Sequence, residues 1–318
     1  EWSNKILLNL SIYKEKRKKI NKNLIFDKPY LQLLTFSLSA LRILNFNDKK
    51  LINNIIEDVL PTNIELLLKK TDALNGKAGS GNFAMFYAIL ILNSNLENKS
   101  ELILKWANSH YNSMNKNGFW GNHLNHLSFQ NGYHQYEIFK YINYKIDKKV
   151  KINALNHILN CSDNKGHFAP YPGGGACFDY DAVFMLDYLS FSKKNDKLNK
   201  KLFMLRKTLL KEQNLDGGFC ENKYVRPFKV YDFCYGISRS KNFSIFIERL
   251  KHFIYLLRPK NSLITNHWCN YSRKWNESNL WDSWFRLQTI AIIEIYFEPK
   301  LSKDWGFIDF PGIGFRKN

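Results

Sequence analysis

Leu209-Leu210-Lys211-Glu212-Gln213-Asn214-Leu215-Asp216-Gly217-Gly218-Phe219 is the stretch on which the reading of the chain turns. It is the end of an amphipathic helix followed by a turn. Upstream, Leu198, Leu202, Leu205 and Leu209 recur at helical spacing, with Lys197, Lys200, Lys201, Lys207 and Lys211 on the remaining surface. Gly217-Gly218 stops the helix, because only glycine takes a positive φ cheaply at a helix C-terminus. The aromatic after the turn can then pack back on the helix end.

The same ending recurs. Met114 to Trp120 and Ser162 to Phe168 both run from a helical stretch through a glycine to an aromatic two residues on. Gly118, Gly166 and Gly217 stand 48 and 51 residues apart. A fixed period near fifty implies a repeated helical unit that buries its apolar face only by stacking on neighbours. Helices that are apolar or carry candidate site residues begin near 29, 79, 129, 176, 230 and 279, each after an amphipathic one. The fold expected is all-α: six helical hairpins closed into an (α/α)6 toroid, apolar helices inside and amphipathic ones outside. It forms one domain over residues 1–318, with 298–318 as an extended C-terminal cap. No alternating βαβ pattern is present.

Gln213-x-x-x-Gly217-x-Phe219 resembles the Gln-x-x-x-Gly-x-Trp repeat of squalene and terpenoid cyclases, whose toroid is shared by protein prenyltransferase β subunits. One of the three copies keeps the glutamine, and Trp120 alone supplies the tryptophan. The resemblance implies a central cavity and an isoprenoid substrate.

Bulk properties frame the function. The chain has 318 residues, 45% hydrophobic and 15% aromatic, ample for a large core. Its formal charge of +19 has two readings. One is plain solvated surface in a Lys- and Asn-rich composition. The other is attraction to an anion, such as a diphosphate, an acidic glycan, a lipid headgroup or nucleic acid. A small-molecule or lipid-like anionic substrate is the expected partner, with peripheral membrane contact as an addition and nucleic acid not expected. The longest apolar run, Phe83 to Leu92, is too short to span a bilayer. Five cysteines, Cys161, Cys177, Cys220, Cys234 and Cys269, form no paired framework, which points to unbridged thiols and a cytoplasmic setting.

Candidate chemistry sits where the inner helices start. Gly173-Gly174-Gly175-Ala176-Cys177-Phe178-Asp179-Tyr180-Asp181 leads a glycine run into a helix carrying two carboxylates. Dipole complementarity explains one of them; two on an otherwise apolar helix suggest a site. Asp179-Tyr180-Asp181-Ala182 resembles the Asp-x-Asp-Asp acid of class II terpene cyclases, which implies Asp181 as proton donor with Asp179 as its partner. Ala182 replaces the last aspartate of that motif. His134 and Glu137 share a helix face and complete the catalytic candidates. Trp120, Tyr133, Tyr180, Tyr231, Asp232, Arg239, Trp281, Asp282 and Arg286 are the expected substrate contacts, with Asp282 and Arg286 also spaced to pair with each other. Prenyltransferase β subunits bind zinc through Asp, Cys and His, and Cys177, Asp179 and Asn266-His267-Trp268-Cys269 offer those types. The order Cys-x-Asp reverses the family's Asp-x-Cys, and no CxxC pair occurs. No cofactor is therefore expected, with zinc or magnesium as the metals to consider. The same carboxylates and aromatics would also suit a glycan-processing lyase or hydrolase. A toroid that binds without catalysing is the third alternative.

Overall fold

Gly118, Gly166 and Gly217 all adopt left-handed backbone, with φ of 81°, 94° and 83°. The aromatics two residues on, Trp120, Phe168 and Phe219, are all buried. In two copies the turn closes identically: the Asp163 N–H donates to the His167 carbonyl at 2.8 Å, and the Asn214 N–H to the Gly218 carbonyl at 2.9 Å. The repeat read from sequence is a real structural unit. Gln213 itself donates from Nε2 to the Gly217 carbonyl across the turn at 2.8 Å.

A computed structural model of the chain describes residues 1–191, 195–221, 223, 229–257, 261–265, 270–274, 276–312 and 314–316. The fold is all-α, with α1 (Trp2–Ile20), α2 (Lys28–Ile43), α3 (Lys49–Ile56), α4 (Ile64–Lys70), α5 (Ser80–Asn93), α6 (Lys99–Ser113) and α7 (His126–Tyr141) in the first half. Then follow α8 (Lys148–Cys161), α9 (Ala176–Leu189), α10 (Asp196–Glu212), α11 (Val230–Ser238), α12 (Phe243–Lys251), α13 (Phe253–Leu256) and α14 (Leu280–Phe297). One antiparallel hairpin, β1 (Asn261–Thr265) and β2 (Asn270–Lys274), interrupts the helices and was not expected from the pattern. The expected C-terminal cap holds a 3₁₀ turn, Pro299–Lys303, and a single parallel bridge between Ile308 and Phe315.

Contacts divide the chain into two compact units that are not consecutive in sequence. The first contains residues 1–115, 134–146 and 306–318; the second contains 116–133 and 147–305. The change at 133/134 falls inside α7 rather than in a linker.

In the first unit, Asp27 caps α2 by accepting the Tyr30 N–H at 3.0 Å, and Pro29 occupies the first turn. The same carboxylate takes Arg17 of α1 at 2.7 Å, so one residue starts α2 and ties α1 to it. Helix α5 is buried on nearly every side from Ala84 to Ile91, as its composition requires. Trp106 of α6 donates its indole N–H to the Ala84 carbonyl at 2.9 Å. Phe310 and Phe315 pack edge-on against Tyr141, with Arg42 over Phe310 at 4.1 Å.

In the second unit, Leu198, Leu202, Leu205 and Leu209 of α10 are all buried, as their spacing predicts. Helix α9 is enclosed from Asp179 to Leu186, and α14 packs along it and against α10. Helix α11 departs from the expected pattern. It packs on α12, and of its residues only Asp232 is buried, so it is not an apolar inner helix. At nine residues it is half the length of α14, and Tyr231 and Asp232 interrupt its apolar run.

Candidate functional site

The second unit buries a four-membered charged cluster. Asp179 in the first turn of α9 is fully enclosed. Its Oδ1 accepts the Phe168 N–H at 2.7 Å, and its Oδ2 accepts His167 Nδ1 at 2.7 Å and Arg286 Nη1. Two donors therefore converge on one carboxylate oxygen. On the other side of its ring, His167 Nε2 donates to Glu212 Oε1 at 3.2 Å. Arg286 of α14 uses Nη2 on the Gly174 carbonyl at 2.6 Å and the Glu221 carbonyl at 2.9 Å.

Each member arrives by a local rule. His167 follows Gly166 in the repeat turn, held there by Asp163, whose Oδ1 accepts the N–H groups of Lys165 and His167 at 2.7 and 2.9 Å. Glu212 closes α10. Gly174 is a packing glycine: a Cβ there would lie 1.8 Å from the Ala169 Cβ. The glycine run before α9 thus admits Ala169 and turns the Gly174 carbonyl toward Arg286.

Electrostatics follow from this geometry. Burial alone would lower the His167 pKa, but Glu212 and Asp179 override it and raise it to about 10, so the ring is an imidazolium. Burial would raise the Asp179 carboxyl, yet His167 and Arg286 hold it below the usual carboxylate range. Glu212 is held low mainly by His167 against the same desolvation. Two anions and two cations thus balance in the interior. Asp179 is held as an anion in this setting and serves as a fixed counter-charge.

Asp181 lies two residues further along α9 and is buried, as is Asp282 in the first turn of α14. Asp282 accepts Asn279 Nδ2 at 2.6 Å, while its N–H is capped by Asn279 Oδ1 at 2.9 Å. Asp181, Asp282, Glu221 and Asp179 all act on the half-buried thiol of Cys177, whose pKa desolvation and these charges push well above normal. They therefore share one locality. Beside it, Tyr180 meets Tyr133, Trp284 and Phe285 with ring centroids at 5.5, 5.8 and 5.4 Å, and Tyr133 meets Phe184 at 5.2 Å. Trp281 adjoins Phe285 at 4.9 Å while remaining 45% exposed.

The other expected contacts have surroundings of their own. Asp232 is taken by Lys165 at 3.0 Å and Asn164 at 3.3 Å, and Tyr231 is 71% exposed. Arg239 sits over the Tyr235 ring at 5.2 Å. Trp120 is buried in the repeat turn. His134 and Glu137 belong to the first unit. Burial, with Lys28 nearby, pushes the His134 imidazole down to about 3, and Glu137 accepts the Gly312 N–H at 2.5 Å. His134 is thus a neutral imidazole, and Glu137 anchors the C-terminal segment. Asn266, His267, Trp268 and Cys269 lie outside the described residues. Among the described residues no group of three His, Cys, Asp or Glu is placed to hold a metal ion. Cys161, Cys177, Cys220 and Cys234 are free thiols. No described helix is long and apolar enough to cross a membrane.

Two cluster members escaped the sequence reading. Glu212 continues the series 198, 202, 205, 209 by three, so a carboxylate stands on a buried leucine stripe. His167 occupies the position filled by Phe119 and Gly218 in the other turns. Both are detectable as polar residues at apolar positions. No protein-family model, curated protein or solved structure matches this chain.

Proposed function

We propose that the chain is an acid-catalysing enzyme of terpene-cyclase or prenyltransferase type, acting on an isoprenoid or similar amphipathic anionic substrate where α9 and α14 begin. The observation that carries this reading is a cluster of aromatic rings, Tyr133, Tyr180, Phe184, Trp284 and Phe285, gathered around the helix that also carries the buried Asp181. Asp181 is the proton donor. Burial and neighbouring carboxylates are the conditions under which a carboxylic acid keeps a proton for transfer. Protonating an alkene leaves a carbocation, and aromatic faces stabilise cations by their quadrupole. Asp179, clamped by His167 and Arg286, fixes the first turn of α9 and so the direction in which Asp181 points.

The degenerate Gln-x-x-x-Gly-x-aromatic turns support the same reading. The free thiols accord with a reducing, cytoplasmic setting. Trp281, half exposed beside Phe285, favours a second reading, stacking of a sugar ring by a glycan-processing enzyme. Incubation with linear polyprenols, prenyl diphosphates and neutral or acidic oligosaccharides, with product analysis by mass spectrometry, separates the two. The proposal expects turnover of a prenyl substrate that Asp181→Asn lowers by at least about a hundredfold, the span of general acid catalysis. Full activity of Asp181→Asn would remove the acid role, and turnover of saccharide alone would favour the second reading.

A further inference from the structure

The second unit holds a cleft of about 400 Å³ whose lining includes no residue of α9 or α14. His123 and Leu127, where the chain enters α7, face Phe243, Ile247, Lys251 and His252 across it. Small-molecule sites begin at about this size. Its two walls are tied together. Asn242 donates from Nδ2 to the Leu124 carbonyl at 3.0 Å, while its Oδ1 caps α12 by accepting the Ile245 N–H at 2.8 Å. Further along α12, Glu248 accepts the His126 and Leu127 N–H groups at 2.8 and 3.1 Å. Phe243, Ile247 and Lys251 recur every four residues, so one face of α12 forms a whole side of the cleft. A site with walls already in place costs little ordering when a ligand enters.

The polar groups decide what fits. Glu248 also lines the cleft, but it spends Oε1 on Leu127 and Oε2 on the N–H and the ring of His126. Among the described residues no three His, Cys, Asp or Glu are placed to hold a metal ion, so His123, His252 and Glu248 form no cation site. Lys251 and His123 are exposed and have no acidic partner among the described residues. Phe243 is 76% exposed beside them, a large ring left at the mouth of a cleft.

We propose that this cleft binds a small aromatic anion, a planar ring bearing a carboxylate or phosphate. The ring lies against Phe243, Leu127 and Ile247, and the anionic group meets Lys251 and His123. Ring-on-ring contact rewards covering Phe243, and charge-assisted hydrogen bonds hold the head group. A bare phosphate would leave the apolar wall wet, and a neutral ring would leave the ammonium unanswered. The site stands on other elements than the reaction proposed above and does not depend on it.

Calorimetric titration of the full chain tests it, with naphthoate and naphthyl phosphate as probes. Naphthalenemethanol, naphthylmethylamine and inorganic phosphate serve as neutral, cationic and ring-free comparisons. Saturable binding of at least one aromatic anion is expected, about tenfold or more tighter than any comparison, and the tighter of the two identifies the head group. Lys251→Glu and Phe243→Ala, both at exposed positions, should each weaken it about tenfold. Lys207→Glu makes the same charge change on the exposed side of α10 and should leave it unaltered. Four results would overturn the proposal. The first is no saturable binding of either anion at millimolar concentration, and the second is tighter binding of naphthylmethylamine. The third is binding unchanged in Lys251→Glu or in Phe243→Ala. The fourth is an equal loss in Lys207→Glu, which would make binding a diffuse response to the net charge of +19.

Discussion

Replacing His167 with glutamine should flatten the alkaline side of the stability profile. His167 is fully buried, and its pKa rises from 6.5 to about 10 on folding. A group whose pKa is raised in the folded state binds more protons folded than unfolded between those two values, so stability falls as pH rises through that interval. Its contribution is complete below pH 6.5 and lost by about pH 10. At about 1.36 kcal/mol per pH unit, that interval corresponds to an upper bound of about 5 kcal/mol. For a chain of this size, about 2 °C in Tm per kcal/mol gives an excess loss of roughly 5–10 °C between pH 6.5 and pH 10. Glutamine keeps a donor but cannot carry the charge. Lysines held low by burial, Lys28, Lys151 and Lys201, pull in the opposite direction in both proteins and cancel in the comparison. Thermal melts followed by circular dichroism at half-unit pH intervals measure the difference. If the two profiles run parallel from pH 6.5 to 10, His167 is not an imidazolium in the folded state and the charge balance of the cluster is wrong.

Other substitutions probe neighbouring features. Arg286→Met leaves Asp179 and Glu212 facing one imidazolium and should cost about 3–5 kcal/mol in urea unfolding, with Arg286→Lys failing to restore the three-acceptor geometry. Gly166→Ala and Gly217→Ala share a left-handed backbone penalty of about 1–2 kcal/mol. Only Gly166→Ala also pushes a methyl to within 2.8 Å of the Leu205 nitrogen, so it should be clearly the worse of the two in parallel unfolding curves. Glu248 accepts the N–H groups of His126 and Leu127 at 2.8 and 3.1 Å and the His126 ring at 2.5 Å. Glu248→Gln should therefore lose about 1–2 kcal/mol, with increased hydrogen exchange at the start of α7.

Much of the fold was legible because its signals are local. Gly118, Gly166 and Gly217 announce the same turn, and α5 declares its burial by lacking a polar face. The leucine stripe of α10 gives its buried side directly. The hairpin was not legible, since Asn261–Thr265 and Asn270–Lys274 show little apolar alternation after Pro259. Helix α11 misled because its start matches the period while its burial depends on neighbours. The site was half legible. Asp179, Asp181, Asp282 and Arg286 stood out as charges on apolar helices, but their pairing did not. Asp282 and Arg286 suggested an i, i+4 pair, whereas Arg286 reaches Asp179, 107 positions away, and His167 reaches Glu212, 45 positions away. Such partners are fixed by how helices stack, and single-sequence spacing carries no information about that.

These separations set an order of assembly. His167, Asp179 and Glu212 emerge during synthesis well before Arg286, and until α14 docks they hold two carboxylates against one imidazolium. An uncompensated carboxylate cannot be enclosed without a large penalty, so α9 should stay open at its first turn until the last long helix arrives. Closing loops of this length also slows the step that completes the unit. A ribosome-bound chain ending before α14 should accordingly be cut by protease near 163–179, and become resistant there once Arg286 has cleared the exit tunnel.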